Sequence, residues 1–256
     1  MSFNTRKRRD VIYQEILSKG SVKVNDLANL LQVSGETIRK DLNVMDEQGL
    51  ISKIHGGAEI KNEYYQLPVD VKMSEHAYEK EILAQKAIQL IKDNSVVYLD
   101  PSTTCVKISR YLPLKKGLTI VTNSLAIAQA VMRTNHSLIL IGGHVIKQSN
   151  AAIGSYANAI IDSLKIDMAF NGTDGFYKVK GPSTFSAEEM EVKQHVIASS
   201  LVNVLLCDAS KFSKSATYVY AKYKDFDILL TNDITEKDKE VVKDIPKIIN
   251  INTKKR

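Results

Sequence analysis

The stretch from Val24 to Ala58 constrains the fold more than any other, because its spacing predicts a short helix, a tight turn, a second helix and then a compact basic hairpin. Leu27, Leu30 and Leu31 fall at i, i+3 and i+4 and give the first helix one apolar face, while Ile38, Leu42 and Met45 do the same for the second. The two faces can pack together. Between them lies Gln32-Val33-Ser34-Gly35, where Ser34 is placed to cap the second helix by accepting a backbone N–H from its first turn.

With Ile38 taken as the inward direction and about 100° per residue, Glu36, Lys40 and Asn43 point away from the core, with Thr37, Arg39 and Val44 on the flanks. That outer face is short, polar and partly basic. A helix that reads DNA needs such a face near its N-terminus, where side chains reach base edges and backbone N–H groups and cations meet phosphates. Leu50 to Ala58 then alternates apolar and polar residues up to a glycine pair, as a strand entering a turn does, which puts Lys53 and His55 on a wing. An ordinary helical hairpin with solvated charges would share the helical part of this pattern.

The run Ser34-Gly35-Glu36-Thr37-Ile38-Arg39-Lys40-Asp41-Leu42, then Gly49-Leu50 and His55-Gly56-Gly57-Ala58, resembles the winged helix-turn-helix of the DeoR family of bacterial transcription regulators. The resemblance extends upstream to Arg8-Arg9 and Ile12, which open the first helix of that fold. It implies sequence-specific binding to double-stranded operator DNA, with Arg8, Arg9, Ser34, Glu36, Thr37, Arg39, Lys40, Lys53 and His55 as candidate DNA-binding residues.

At 256 residues the chain accommodates a small domain and a larger one, each with its own core. Its formal charge of +6 and pI of about 9.1 suit a polyanionic partner without singling one out. Through Lys61, ten Lys or Arg face eight Asp or Glu, a surplus of two, so the basic residues matter there by position. Arg6-Lys7-Arg8-Arg9 is a dense cluster that reads either as a solvated tail or as phosphate contacts. No apolar run approaches the roughly 20 residues that span a bilayer, and the charged N-terminus is unlike a signal peptide. A cytoplasmic protein without a membrane partner is expected. Cys105 and Cys207 stand far apart without a CxxC partner, and the five histidines show no ligand spacing, so neither a disulfide, a metal site nor a cofactor is expected.

Glu59 to Glu75, with Tyr64-Tyr65 and Pro68, reads as a linker, which gives an expected reading head at 1–58, a linker at 59–75 and a second domain at 76–256. Beyond it the rhythm changes. Helical patterns at Ala84 to Ile91, Cys105 to Leu112 and Ser124 to Met132 alternate with strand candidates at 96–99, 118–122, 138–141, 168–170, 201–206 and 228–230. Such alternation predicts an open α/β sheet with helices on both faces.

Ligands of such sheets bind beyond the carboxyl ends of the strands, so the residues after each strand are the candidates. Those loops are rich in small polar groups: Asp100-Pro101-Ser102-Thr103-Thr104, Thr122-Asn123-Ser124, Gly142-Gly143-His144, Asn171 to Gly175 and Cys207 to Phe212. Taken singly, each also reads as a helix cap or a turn. The hydroxyls of Ser102, Thr103 and Thr104 beside a helix start form an anion cradle, and Lys211 adds a full positive charge. Asp174 and Asn123 suit hydroxyl groups, while Gly142 and Gly143 allow close backbone approach. A phosphorylated sugar or sugar alcohol is the inferred effector.

The same loops, in this order, are similar to the C-terminal effector domain of DeoR-type regulators. Asp167 to Gly175, Glu188-Glu189 with Val192-Lys193, and Asp208-Ala209-Ser210-Lys211-Phe212 carry the likeness. It implies a fold like that of ribose-5-phosphate isomerase and a sensor of sugar phosphates or related metabolites. Pro101-Ser102, where many members have a Ser-Gly pair, and Pro182 to Ser186 depart from the common pattern, which leaves the identity of the sugar open. Two functions follow: a regulator, most simply a repressor of a sugar or polyol operon, that binds its effector without turnover; or an isomerase-like enzyme carrying a nucleic-acid-binding appendage. Asp174, Glu188, Glu189 and Lys211 supply candidate catalytic groups by type only. Paired operator half-sites favour the regulator as a homo-oligomer, dimer or tetramer.

Overall fold

The computed structural model describes residues 5–19, 21–60 and 69–253 of the chain. These fall into two compact units, Met1–Leu67 and Pro68–Arg256.

In the first unit, α1 (Thr5–Lys19) is followed by β1 (Ser21–Lys23), α2 (Val24–Leu31), α3 (Gly35–Glu47) and the hairpin strands β2 (Ile51–Ile54) and β3 (Gly57–Ile60). Ile12 and Ile16 of α1, Leu27 and Leu31 of α2, and Ile38, Leu42 and Met45 of α3 are buried. Gln32 ends α2 in the left-handed region at φ 51°. Ser34 then caps α3, its Oγ accepting the Thr37 N–H at 3.2 Å. Leu30 departs from the expected apolar face and is 54% exposed. The buried stripe of α2 is instead Val24, Leu27 and Leu31, spaced i, i+3, i+7, and Leu30 lines an open groove with Leu27 and Ile54.

The small sheet has the order β1-β3-β2, and all its pairs are antiparallel. Its hairpin turns at His55-Gly56, with Gly56 at φ 78°. Gly57 matters for another reason: a Cβ there would stand 2.0 Å from the Val22 carbonyl oxygen, so only glycine lets β3 lie against β1.

The second unit opens with α4 (Val69–Ser74) and α5 (Ala77–Leu90), then alternates β4 (Val96–Leu99), α6 (Thr103–Ile108), β5 (Thr119–Thr122), α7 (Leu125–Val131) and β6 (Ser137–Leu140). A two-stranded ribbon, β7 (His144–Ile146) and β8 (Ala151–Ile153), precedes α8 (Ser155–Asp162), β9 (Met168–Asn171), β10 (Ser183–Thr184), α9 (Ala187–Ala198) and β11 (Asn203–Leu206). The unit continues through β12 (Tyr218–Val219), β13 (Ile228–Asn232), α10 (Glu236–Val241) and β14 (Lys247–Ile251).

Seven strands form one parallel sheet in the order β14-β13-β11-β9-β4-β5-β6. Alternation along β4 builds a core on each face. Val97 and Leu99 pack with Leu83, Ala87 and Ile108, whereas Tyr98 joins Ala157, Ile161, Val192 and Val196. Helices cover both faces because parallel strands this apolar must be buried on both. Cys105 and Cys207 are buried free thiols, and burial raises the Cys105 pKa to about 12.

Three boundaries differ from the sequence-based expectation. The expected linker at 59–75 contains the end of β3 and all of α4, while Tyr64, Tyr65 and Pro68 lie outside the described residues. The helix expected over 105–112 breaks at Ile108 into a 3-10 segment, Ser109–Leu114, where Pro113 supplies no N–H for an α-helical bond. The edge strand β14 went unread. No described helix is long and apolar enough to cross a membrane.

Candidate functional site

On the first unit, Glu36, Arg39, Lys40 and Asn43 share the exposed side of α3. Arg39 is held only loosely, with Nη1 3.7 Å from Glu36 Oε2 and both side chains more than half exposed. Lys53 of β2 donates from Nζ to Asn43 Oδ1 at 2.6 Å, which ties the wing to the outer face of α3. His55 is exposed at the tip of the hairpin. Ser34 and Thr37 share a hydroxyl contact of 2.9 Å and together start the helix.

Arg8 and Arg9 stand elsewhere than the phosphate-contact expectation puts them. Arg8 Nε donates to Asp41 Oδ2 at 2.5 Å and Arg9 Nε to Asp41 Oδ1 at 2.8 Å. Asp41 is 2% exposed on the inward side of α3. A carboxylate carried into that core needs cations, and the two guanidinium groups of α1 supply them, fixing α1 against α3.

On the second unit, the chain runs from β4 to β5 and β6 on one side and returns to β9 on the other, so sheet order reverses between β4 and β9. The crevice beyond those two strand ends is where such sheets bind ligands. There Asp100 accepts the Ser102 N–H at 2.7 Å and pairs with Lys193 of α9. Lys193 also donates to the Gly172 carbonyl at 3.0 Å, and the Tyr220 hydroxyl donates to the same oxygen at 2.8 Å. Burial works against the Lys193 ammonium, but Asp100 beside it holds its pKa above the ordinary lysine value. A Cβ on Gly172 would stand 2.3 Å from Ser102 Cβ, so the two loops interlock.

Around this crevice, Asp174 pairs with Lys72 of α4 at 2.5 Å. Burial alone would raise the Asp174 pKa, and Lys72 and then Lys211 hold it below the ordinary carboxylate value. Asp208 accepts the Ser210 N–H at 3.0 Å on Oδ1, while its buried Oδ2 has no partner among the described residues. The wholly buried Asn171 amide likewise has none on either atom. Half-buried Lys211 makes no ion pair with the described residues, and burial, with Lys72 and Lys214 nearby, lowers its pKa. Lys80 of α5 is 2% exposed; its Nζ donates to the Lys72 carbonyl at 2.5 Å, and burial lowers its pKa to about 8. This is an arrangement that can take an anion.

Of the residues named from sequence, Ser102, Asp174 and Lys211 gather at this edge. Thr103 and Thr104 are buried in the first turn of α6, and their hydroxyls make no hydrogen bond to described residues. Asn123 is engaged internally: Oδ1 accepts from the Tyr98 hydroxyl at 2.7 Å and Nδ2 donates to Ala152 O at 2.8 Å, which makes it a link between β4, β5 and β8 instead of an open reader of hydroxyls. Gly143 approaches its own chain, since a Cβ there would stand 2.3 Å from Ile153 O, while Gly142 faces open space. Lys72 and Lys80 escaped the sequence reading. For Lys80 a signal exists, because it falls at i, i+3, i+4, i+7 with Leu83, Ala84 and Ala87, the inward register of α5. No described cluster of three His, Cys, Asp or Glu is placed to hold a metal ion.

Residues 8–64 match the DeoR-like helix-turn-helix domain and residues 75–233 the DeoR C terminal sensor domain. An uncharacterized HTH-type transcriptional regulator of Escherichia coli, YgbI, is 31% identical over 89% of both chains. The lactose phosphotransferase system repressor of Staphylococcus epidermidis is 30% identical over 92% of this chain and 96% of its own. Among solved structures, ribose 5-phosphate isomerase A of Methanocaldococcus jannaschii matches 52% of each chain at 19% identity with a TM-score of 0.38, a level at which no activity transfers. Both domain matches, in order along one chain, establish that this protein belongs to the DeoR family of helix-turn-helix transcription regulators.

Proposed function

We propose that this chain is a repressor of a sugar or polyol operon whose DNA binding is governed by a phosphorylated effector at the β4–β9 crevice. The observation that carries the reading is the lysine cluster at that crevice, in which Lys80 and Lys211 touch no carboxylate of the described residues. A phosphate ester supplies the missing counter-charge through charge-assisted hydrogen bonds. Two relatives favour a carbohydrate operon by name: the lactose phosphotransferase system repressor and a putative aga operon transcriptional repressor of Escherichia coli O157:H7.

Turnover is the poorer reading of the same crevice. An aldose–ketose isomerase needs a carboxylate free to take a substrate proton. Asp174 is held by Lys72, Asp100 by Lys193, and Glu189 accepts from the Thr184 hydroxyl at 2.7 Å. On the DNA side, Arg39, Lys40 and Asn43 of α3 read base edges and phosphates, with Lys53 and His55 contributing from the wing. Two such heads on adjacent half-sites require at least a dimer, working in the cytoplasm where the operator lies.

The test is binding of the purified full chain to DNA upstream of its own gene at fixed salt, with and without a panel of sugar phosphates. Specific binding altered by one ester supports the proposal. Failure to bind specifically under any condition, together with turnover of a sugar phosphate, would replace it by the isomerase. Lys211→Ala sharpens the assignment: it should weaken the response to the ester while leaving DNA affinity in its absence unchanged.

A further inference from the structure

Helix α4 directly follows the segment that leads out of β3, and its side chains and carbonyls are engaged at the sheet edge. Lys72 extends from it to Asp174 at 2.5 Å and lies 5.4 Å from the centroid of the Phe185 ring. The Lys72 carbonyl receives Lys80, and the Val69 N–H donates to Gln148 O at 3.0 Å. Just past α4, Glu75 meets Lys214 at 3.6 Å. The strap is thus held largely by ionic and carbonyl contacts that a competing anion can exchange.

We propose that α4 is part of the effector site: the anionic group of a phosphorylated ligand is held between Lys211 on the β11 loop and Lys72 and Lys80 on the strap side, so that an occupied site holds α4 differently from an empty one. This rests on the phosphate-ester reading given above. Lys80 is a buried ammonium whose one acceptor among the described residues is the neutral Lys72 carbonyl, so two of its three N–H groups await a partner. Lys211 faces no carboxylate in contact, and Asp208, the nearest charged neighbour in its own loop, already accepts from Ser210. Lys72 carries both parts of the device: its ammonium engages the β9 loop and its carbonyl engages Lys80. A phosphate oxygen that takes Lys80 frees the carbonyl of Lys72, and one that takes the Lys72 ammonium frees Asp174. Occupancy is thereby written into α4, and through the chain segment 61–68 it acts on the strand that ends the reading head.

The experiment is backbone amide exchange over residues 69–74 of the full chain, run with calorimetric titration of D-glucose 6-phosphate, D-fructose 1-phosphate, D-ribose 5-phosphate, the unphosphorylated sugars and inorganic phosphate. The expected result is that one ester binds wild type and changes exchange in α4. Lys72→Met should remove that change and weaken binding about ten- to a hundredfold, the value of one or two charge-assisted hydrogen bonds. Lys72→Arg should restore both. Lys80→Met should weaken binding similarly, and if it fails to fold, the Lys72 pair carries the test. An ester that binds Lys72→Met as it binds wild type, with α4 exchange unmoved in both, overturns the role of the strap and leaves the phosphate site standing. Binding of no phosphorylated probe to wild type overturns the phosphate site and this proposal with it.

Discussion

Each unit of this protein buries a charged cluster, and the two are finished to different degrees. In the reading head both oxygens of Asp41 are taken by guanidinium groups, one from Arg8 and one from Arg9. In the sensor unit Lys80 rests on a carbonyl, Asp208 Oδ2 is unpartnered among the described residues, and Lys211 has no ion pair there. A closed cluster gains nothing from a further ion and serves as scaffold; an open one changes its energy when an ion arrives. The head is therefore built to hold one geometry, and the sensor edge to respond.

The comparison breaks if the closed cluster proves dispensable. Asp41→Ala leaves two cations beside an apolar core and should cost the head about 3–5 kcal/mol in urea unfolding, with the sensor transition unchanged; a loss below about 1 kcal/mol would remove Asp41 from the scaffold. Arg39→Ala sharpens it from the outside. Its effect should fall on operator affinity alone, about 1–3 kcal/mol by titration, and equal damage to ester binding would mean that the domains are wrongly assigned.

The open cluster predicts a pH dependence. Burial lowers Lys80 from 10.5 to about 8, so the unfolded chain holds that proton more tightly than the folded one. The destabilising effect of this group is complete below about pH 8 and is relieved as pH climbs towards 10.5. Ester binding runs the other way, since it uses the charged form: affinity should fall by roughly tenfold per pH unit above 8, a limb that Lys80→Met flattens. Asp208, Lys211, Glu75 and Lys214 also act on this group, and a limb that survives the Lys80 substitution would assign the titration to one of the lysines among them. The smallest effect belongs to Ser34→Ala, which removes the cap of α3 for about 1 kcal/mol of stability.

Much of this was readable from spacing. The outward face of α3, the cap at Ser34, the hairpin turn at His55-Gly56 and the parallel sheet follow from periods of 3.6 and 2 and from turn chemistry. What escaped was pairing across distance. Arg8 and Arg9 read as phosphate contacts because their partner lies more than thirty residues away, and Asn123 read as a ligand group because Tyr98 and Ala152 meet it only in the fold. Yet Asp41 and Lys80 carried a local signal. Each sits in the apolar register of its helix, Asp41 with Ile38, Leu42 and Met45, Lys80 with Leu83, Ala84 and Ala87. A charge on an apolar stripe announces a buried cluster, though not its partner.

The two thiols both belong to the sensor unit, Cys105 in α6 just past the Ser102 loop and Cys207 at the end of β11. Burial raises the pKa of each, so the folded protein presents almost no thiolate to an alkylating reagent. Every alkylation event therefore timestamps an opening of the sensor, and the native sequence carries its own clock for how often an effector lets that sheet breathe.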